Sequence, residues 1–394
     1  MNEIEKLIQE LCPDGVEFRK LGEILDYEQP GKFIVKSTDY SNDYETPVLT
    51  AGQSFILGYT DEHDGVYQAS KQEPVIIFDD FTTSFHWVDF SFKVKSSAIK
   101  MLRPKGNDDA LLRFVYFCMQ QIKFSPLEHS RQWISKYSNF DIPVPPMAVQ
   151  CKIVEVLDNF TELEAELEAE LEARRKQYEY YRNKLLTFTP PNEKNVRYLS
   201  LEEVFELRNG YTPSKSNVIF WENGTIPWFR MEDIREFGRE LSGSIQHITT
   251  AAIKGKGLFK AGSFIMATTA TIGEHALLIV DSLANQQFTN LEIRKSLSSQ
   301  LDIRYCFHYM YVLGEWCKKN VNAGGFASVD MGKFKRYSFP IPPLAEQRRI
   351  AAILDKFEAL TTSLQDGLPA EIDARRQQYE YYRNKLLTFS RKTA

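Results

Sequence analysis

The sequence lacks paired cysteines. Its five (Cys12, Cys118, Cys151, Cys306, Cys317) are scattered, odd in number and without CxxC spacing. That argues against a disulfide framework or a structural zinc site and fits a reducing cytoplasm. No apolar run approaches the roughly 20 residues that a bilayer span requires, so no membrane partner is expected. The opening MNEIEKLIQELC has neither a basic n-region nor an apolar h-region, so no secretory leader is expected. There is no GxxxxGK[ST] phosphate loop, no GxGxxG after a strand, no HExxH and no GxSxG. An NPPF- or DPPY-like element for amino-group methylation is missing too. The six histidines (His63, His86, His129, His247, His275, His308) have no metal-ligand spacing to one another. The expectation is a chain with no catalytic residues, no metal and no cofactor of its own.

What the sequence does contain is a two-part repeat. Residues 173–188 read ARRKQYEYYRNKLLTF and residues 374–389 read ARRQQYEYYRNKLLTF, differing only at Lys176 and Gln377. Upstream of each lies a second matching pair, PVPPMAVQCKIVEVLDNFTEL (143–163) and PIPPLAEQRRIAAILDKFEAL (340–360). Two near-identical helical segments thus close two dissimilar stretches.

From Pro146 to Phe188 there is no glycine or proline, which predicts one helix of about 40 residues, roughly 60 Å long at 1.5 Å per residue. Ile153, Val156, Leu157, Phe160, Leu163, Leu167 and Leu171 form its apolar stripe. Inside it ELEA occurs three times, at 162–165, 166–169 and 170–173. Each four-residue unit advances a helix by about 6 Å and turns it by a net ~40°, close to one DNA base-pair step of about 34–36°. A spacer-setting role and plain helix-forming filler are compatible readings. The second copy is interrupted by QDGLPAE with Gly367 and Pro369, which predicts a break near 366–369 and a new helix starting at Pro369.

The stretches before each helix read as α+β. Short β-rich runs at 74–78, 90–94, 263–266 and 276–280 lie among Gly- and Ser-containing loops. Each passes into a helix-like segment, 111–124 and 301–316, and the order of elements repeats. Charge is uneven: residues 1–150 carry 15 basic against 22 acidic side chains, residues 191–345 carry 18 against 15, and the whole chain is −5. An acidic chain that binds DNA needs local basic patches or a partner that grips the backbone.

The loops hold polar and aromatic chemistry: TAGQ (50–53), DDFTTSFHW (79–87) and HSRQWISKY (129–137) in the first half, and NGYTPSKSN (209–217), IPWFRMEDI (226–234), ATTATIGEH (267–275), NQQF (285–288) and NAGGFAS (322–328) in the second. Base edges are read by Arg, Lys, Asn, Gln, Ser and Thr. Gln53, Arg131, Gln132, Arg230, Gln286 and Gln287 are of those types, and Lys136, Lys215 and Lys333 suit phosphates. Thr82, Thr83, Tyr211, Thr212, Thr268, Thr269, Thr271 and Phe326 complete the candidate set. Phe85, Trp87, Trp228 and Phe288 are expected in the core rather than stacked on bases.

Two dissimilar domains, each followed by PxPPxAxQ and YEYYRNKLLTF elements, resemble the specificity subunit of type I restriction–modification systems over essentially the whole chain. The resemblance implies two pseudo-repeated α/β target recognition domains joined by two long antiparallel spacer helices in a coiled coil, with a pseudo-two-fold arrangement. Its boundaries would be 1–146 for the first recognition domain, 147–189 for the central spacer, 190–343 for the second domain and 344–394 for the distal spacer. It implies one half-site of a split double-stranded DNA target per domain. It also implies two adenine methyltransferase (modification) subunits docked on the helices through Tyr178, Tyr181, Arg182, Leu185, Tyr379, Tyr382, Arg383 and Leu386, and further restriction/translocase subunits. The loops around Gly52–Gln53, Thr82–Trp87, Arg131–Lys136, Gly210–Lys215, Thr268–Gly273 and Gly324–Ser328 would face DNA. The first helix departs from the pattern at MAVQCK (147–152), where the second copy has LAEQRR. The rival reading is a non-catalytic coiled-coil scaffold that docks two copies of a partner without reading bases. A methyltransferase with cryptic motifs is disfavoured by the absent cofactor loop.

Overall fold

In a computed structural model the chain is described at residues 3–52, 54–106, 110–126, 128, 130–188, 195–322, 327–362 and 367–392. It divides into two compact units, residues 1–168 with 372–394, and residues 169–371. The boundary falls inside the ELEA tract. Each unit therefore holds one diverged domain, the start of the helix that follows it, and the YEYYRNKLL segment carried by the other helix.

Within the first unit a four-stranded sheet runs Leu25–Glu28, Ile99–Pro104, Val75–Asp79, Phe85–Val88. A three-stranded sheet runs Ile56–Thr60, Thr46–Leu49, Lys93–Val94, its last pair parallel. The second unit repeats this plan. Its larger sheet runs Phe205–Asn209, Phe288–Ile293, Phe264–Ala267, His275–Leu278 and adds Glu240–Leu241 at the edge. Its smaller one runs His247–Ile248, Ile226–Phe229, Leu283–Ala284, again with a parallel last pair. Central strands buried on both faces read as continuous apolar runs, VIIF (75–78) and FIMA (264–267), and all eight of these residues are buried. The larger sheet packs on a helix, Leu112–Met119 in the first unit and Ile303–Lys319 in the second.

Each domain is closed by a two-stranded ribbon, Glu17–Lys20 with Asp141–Val144 and Arg197–Ser200 with Ser338–Ile341. The prolines that follow each ribbon stop pairing and start the conserved helices, Met147–Leu186 (40 residues) and Leu344–Thr362. Helix Met147–Leu186 needs no interruption because its residues are strong formers with Glu placed four residues before Arg or Lys, as in Glu170–Arg174 (2.7 Å) and Glu172–Lys176 (2.6 Å). The last helix runs Leu368–Leu386 with Pro369 in its first turn. Residues 363–366, where the expected break begins, lie outside the described residues.

The repeated motif anchors each helix to its own domain. Gln150 is fully buried; its amide donates to the Pro145 carbonyl (2.8 Å) and its Oε1 accepts from the Leu111 amide (2.9 Å). Gln347 repeats this with Pro342 (2.8 Å) and Asp302 (2.8 Å) and adds the Gln300 carbonyl (2.9 Å). Arg113 grips Asp158 (2.7 Å) and Arg304 grips Asp355 (2.7 Å), again at matching positions. In the first unit the C-terminal segment runs antiparallel to the start of the long helix. Phe160 stacks on Tyr382 at 5.4 Å, and Arg376 pairs with Glu164 (2.6 Å) and with Glu168. The two ends of the chain meet in that unit, where the Val16 amide donates to Ser390 (2.8 Å) and the Lys392 amide to Val16 (2.9 Å). Among the described residues no helix is long and apolar enough to cross a membrane.

Candidate nucleic-acid interface

In the second unit five chain segments converge at one end of the larger sheet. The Gly210 amide donates to Phe288 (2.8 Å), Tyr211 to Ala284 (2.9 Å), Asn285 to Phe229 (3.0 Å), Thr268 to Gln287 (2.9 Å) and Val329 to Thr268 (2.8 Å). Thr269 bridges to Ser328. The approach at Gly210 requires glycine, since a Cβ there would lie 2.1 Å from the Asn285 carbonyl oxygen. Around this junction stand most of the residues expected from the second half of the sequence. Tyr211 and Arg230 are half-buried, Gln286 and Thr271 exposed. The Thr212 hydroxyl bonds the Gln286 side chain. Gln287 Oε1 accepts from Asn285 (3.2 Å), which turns this glutamine inward along its own loop. Lys215 is exposed and has no carboxylate partner among the described residues. Lys333 is exposed but lies 3.8 Å from Asp330.

In the first unit the same end of the sheet is organised around Asp80. Its carboxylate is 1% exposed and accepts from the Gln132 amide (3.1 Å), the Trp133 amide (2.8 Å) and Arg131 Nη1 (3.4 Å), with Lys100 Nζ at 3.3 Å. This ties the loop 79–84 to the segment 130–133. His86 Nε2 meets the Gly52 carbonyl (3.0 Å) and brings in the third loop. Arg131 and Lys136 are exposed, as is Thr82.

Three candidates need correction. Gln132 is fully buried, and its amide is spent on the Ser130 carbonyl (2.7 Å) and hydroxyl (3.0 Å), so it shapes the loop instead of reaching a base edge. Thr268 is buried with its hydroxyl against Thr289 (3.0 Å). Thr83 is buried and donates to the Thr82 carbonyl (2.6 Å). Gln53 and Phe326 lie outside the described residues. Trp228 and Phe288 are core residues, and Phe85 and Trp87 pack half-buried on the first core.

Both hairpin tips hold left-handed backbone at residues with side chains, Thr83 (φ 61°) in the first unit and Ala270 (φ 44°) and Thr271 (φ 38°) in the second. A β-branched residue there is strained, and such strain persists where a loop's shape is over-determined by its surroundings.

The shared topology exposes positions that residue chemistry missed. Asp80 donates its amide to Ala98 as Thr268 does to Gln287 (both 2.9 Å), so KSSA (95–98) occupies the place of NQQ (285–287) in the second unit. Ser96 and Ser97 are exposed there. Likewise PGK (30–32) follows strand Leu25–Glu28 where GYT follows Phe205–Asn209. Laying the halves over one another by element order would have found both.

The repeated segments turn a specific face inward. Tyr178 and Leu386 are buried. In the second unit Tyr178 and Tyr181 stack on Phe357 (6.2 and 5.4 Å), and Leu185 packs on the core. In the first, the Tyr379 hydroxyl donates to Gln120 (2.8 Å), and Arg383 lies over the Tyr379 ring at 5.3 Å. Six of the eight expected docking residues (Tyr178, Tyr181, Leu185, Tyr379, Tyr382, Leu386) thus face their own unit, as does Arg182, over the Tyr311 ring at 4.5 Å. The outward stripe is Tyr180, Asn183 and Lys184 in one copy and Tyr381, Asn384 and Lys385 in the other, with the two tyrosines 58% and 61% exposed.

One group of His308, Asp355 and Glu358 has its ligand-type atoms within 4.8 Å. His308 Nε2 is bonded to Asp355 (2.8 Å) and its Nδ1 faces the Tyr178 hydroxyl (3.4 Å), while Arg304 occupies Asp355. Burial pushes the Glu358 carboxyl above its usual range. His308, Asp355 and Arg304 thus form a network that seats Tyr178, with Arg304 also 3.5 Å from Glu358.

The family described as "Type I restriction modification DNA specificity domain" matches residues 13–173 and 193–374. The chain is 42% identical to the EcoR124I/EcoR124II type I restriction enzyme specificity subunit of Escherichia coli, over 99% of this chain and 97% of that one. It is 51% identical to the EcoprrI specificity subunit of the same species, over 49% and 50%. Its fold is shared with the crystal structure of the S subunit of a type I restriction–modification system from M. genitalium, with a TM-score of 0.59, 13% identity, and coverage of 95% of this chain and 96% of that one.

Proposed function

The chain belongs to the type I restriction–modification DNA specificity family, and from that premise we propose that it is the DNA-reading, non-catalytic subunit of such a complex. Each unit reads one half of a split target. One observation carries this reading. Two domains that share the order of four strands in the larger sheet and of three in the smaller present corresponding loops at the same end, yet with different chemistry. Asp80, Lys100 and Arg131 organise one set; Thr268, Thr289 and Gln286 occupy the other. Frames alike in plan but with unlike contact residues suit two unlike half-sites, and hence an asymmetric target.

The exposed stripes of the repeated helices, centred on Tyr180 and Tyr381, are the docking surfaces for two copies of an adenine-methylating modification subunit. Exposed tyrosines in two near-identical settings are what two copies of one partner require. Restriction and translocase subunits join through that assembly. Arg131, Lys136, Tyr211, Lys215, Arg230, Gln286 and the hairpin tips are the DNA contacts.

The test is a genome-wide map of methylated adenines with the gene intact and deleted. Loss of one asymmetric, gapped motif is expected. An unchanged map in a cell that expresses the modification subunit would overturn the reading and favour a scaffold.

A further inference from the structure

We propose that the loop Lys254–Gly257 of the second unit is a phosphate-binding site that grips the DNA backbone beside the reading loops. The inference rests on the DNA-reading function and adds where the grip lies.

The loop reads KGKG, and both glycines are left-handed, Gly255 at φ 59° and Gly257 at φ 80°, with nothing within 4 Å of where their Cβ atoms would stand. It borders a cavity of about 300 Å³ lined by Arg208, Asn209, Tyr211, Lys254, Lys256 and Phe259. The cavity is continuous with the convergence point, because Tyr211 belongs to both. Its hydroxyl accepts from the Lys254 amide (2.8 Å) and donates to the Ala252 carbonyl (3.0 Å). Arg208 lies over Phe259 at 4.8 Å and donates to the carbonyls of Lys256 (3.1 Å) and Gly257 (3.0 Å), which fixes the loop's shape. Lys256 pairs with Glu206 (2.6 Å). Lys254 is exposed, and its ammonium has no carboxylate partner among the described residues. Three cations against one carboxylate leave the site positive, open and rigidly backed.

The first unit has acids at the corresponding positions. Tyr67 bridges Phe92 as Phe259 bridges Ser282. That register places Glu62 where the second unit has Lys254, Asp64 where it has Lys256, and Gly65 (φ 65°) where it has Gly257. Glu62 is consumed by the Lys36 and Ser37 amides (both 2.8 Å) and by Lys93 (3.0 Å), while Asp61 and Asp64 are exposed. The two loops share a left-handed glycine at Gly65 and Gly257 but not at Gly255, where the first unit has His63, so the lysines of the second loop are not a requirement of the fold. That difference assigns the backbone contact made by this loop to the second unit. Lysine at a phosphate adds affinity without sequence information and makes binding salt-dependent.

The experiment measures affinity of the full chain, assembled with its modification subunits, for a duplex bearing its methylated motif across a salt series. The variants are Lys254→Gln, Lys254→Gln with Lys256→Gln, and Lys260→Gln as a charge-matched control, since Lys260 pairs with Asp281 (2.7 Å) outside the loop. Removing one lysine–phosphate pair lowers the slope of log K against log salt by about 0.9. The double variant is expected to show a slope shallower by about 1–2 and to weaken equally on cognate and scrambled second half-sites, with the methylated motif in cells unchanged. An unchanged slope, or an equal reduction in the control, overturns the inference. A wild-type complex that fails to distinguish its motif from scrambled DNA would instead count against the DNA-reading function.

Discussion

The carboxylate of Asp80 and the hydroxyl of Thr268 stand at the same place in the two units, and their partners Lys100 and Thr289 also correspond. One unit fills the position with a buried ion pair, the other with two hydroxyls. Either satisfies the polar groups there, and the loops around them differ accordingly. His275 shows what a single residue can cost. It closes the second unit's hairpin, fully enclosed, with Nδ1 on the Gly273 carbonyl (3.1 Å) and Nε2 without a partner. Burial, then the nearby Arg239 charge, pushes its pKa down from 6.5 to about 3. The folded state therefore keeps His275 neutral while the unfolded state binds a proton below about 6.5. Stability is full above that pH and falls as pH drops from 6.5 toward 3, by up to about 1.4 kcal/mol per pH unit from this group. His275→Phe, which cannot titrate, should flatten that part of the curve. The check is thermal melting between pH 4 and 7, wild type against variant; parallel curves would remove His275 as the cause.

At the scale of elements, the strongest lesson lies in the two glutamines of PxPPxAxQ. Gln347 supports three hydrogen bonds from a fully buried site. Gln347→Leu should cost about 1–3 kcal/mol for each buried group it leaves unpartnered. Glu346→Ala, one residue earlier, removes only a partly exposed i,i+3 pair with Arg349 and should cost under about 1 kcal/mol. Amide hydrogen exchange in helix Leu344–Thr362 separates the two; equal protection in both variants would show that the glutamine is not the anchor. The motif was legible as a repeat, but periodicity alone could not say why glutamine recurs, because its partners Leu111 and Asp302 are 39 and 45 residues distant. The long helix was legible because it lacks glycine and proline and repeats its charges locally. The inward face of YEYYRNKLL was not. Its tyrosines at 178, 180 and 181 look equivalent in sequence, and only the seat formed by Phe357 and His308 decides which turn in. Residue type picks out the loops that the fold brings together where they are rich in Gln and Arg. It passes over the topologically equivalent places that hold serines (Ser96, Ser97) or the Gly31-Lys32 pair. Gln132 misled for the same reason, since side-chain type says nothing about whether a backbone turn has already claimed it.

For the whole molecule, the chain order has a mechanical consequence. Each unit combines one diverged domain with the YEYYRNKLL segment that follows the other, and the boundary between units cuts the ELEA tract at Glu168–Ala169. The tract is little used for packing: Leu163 is 46% exposed, and Leu167 and Leu171 are only half-buried, whereas Ile153 and Leu157 upstream are buried. A segment not locked into either core can change length without dismantling one. Removing residues 166–169 takes out one helical step of about 6 Å and a net turn of ~40°. The turn is close to one base-pair step of about 34–36°, whereas the advance, laid along the duplex at about 3.4 Å per step, is nearer two. Because each reading loop must face its groove, rotation is the stricter constraint. The deletion should therefore shorten the unspecified gap of the methylated motif by one base pair and leave both half-sites unchanged. Sequencing methylated adenines in cells that carry the deletion decides it. A gap shortened by two would make translation the governing quantity. Altered half-site bases would mean that the tract does not set spacing at all and that its residues belong to the reading of one domain.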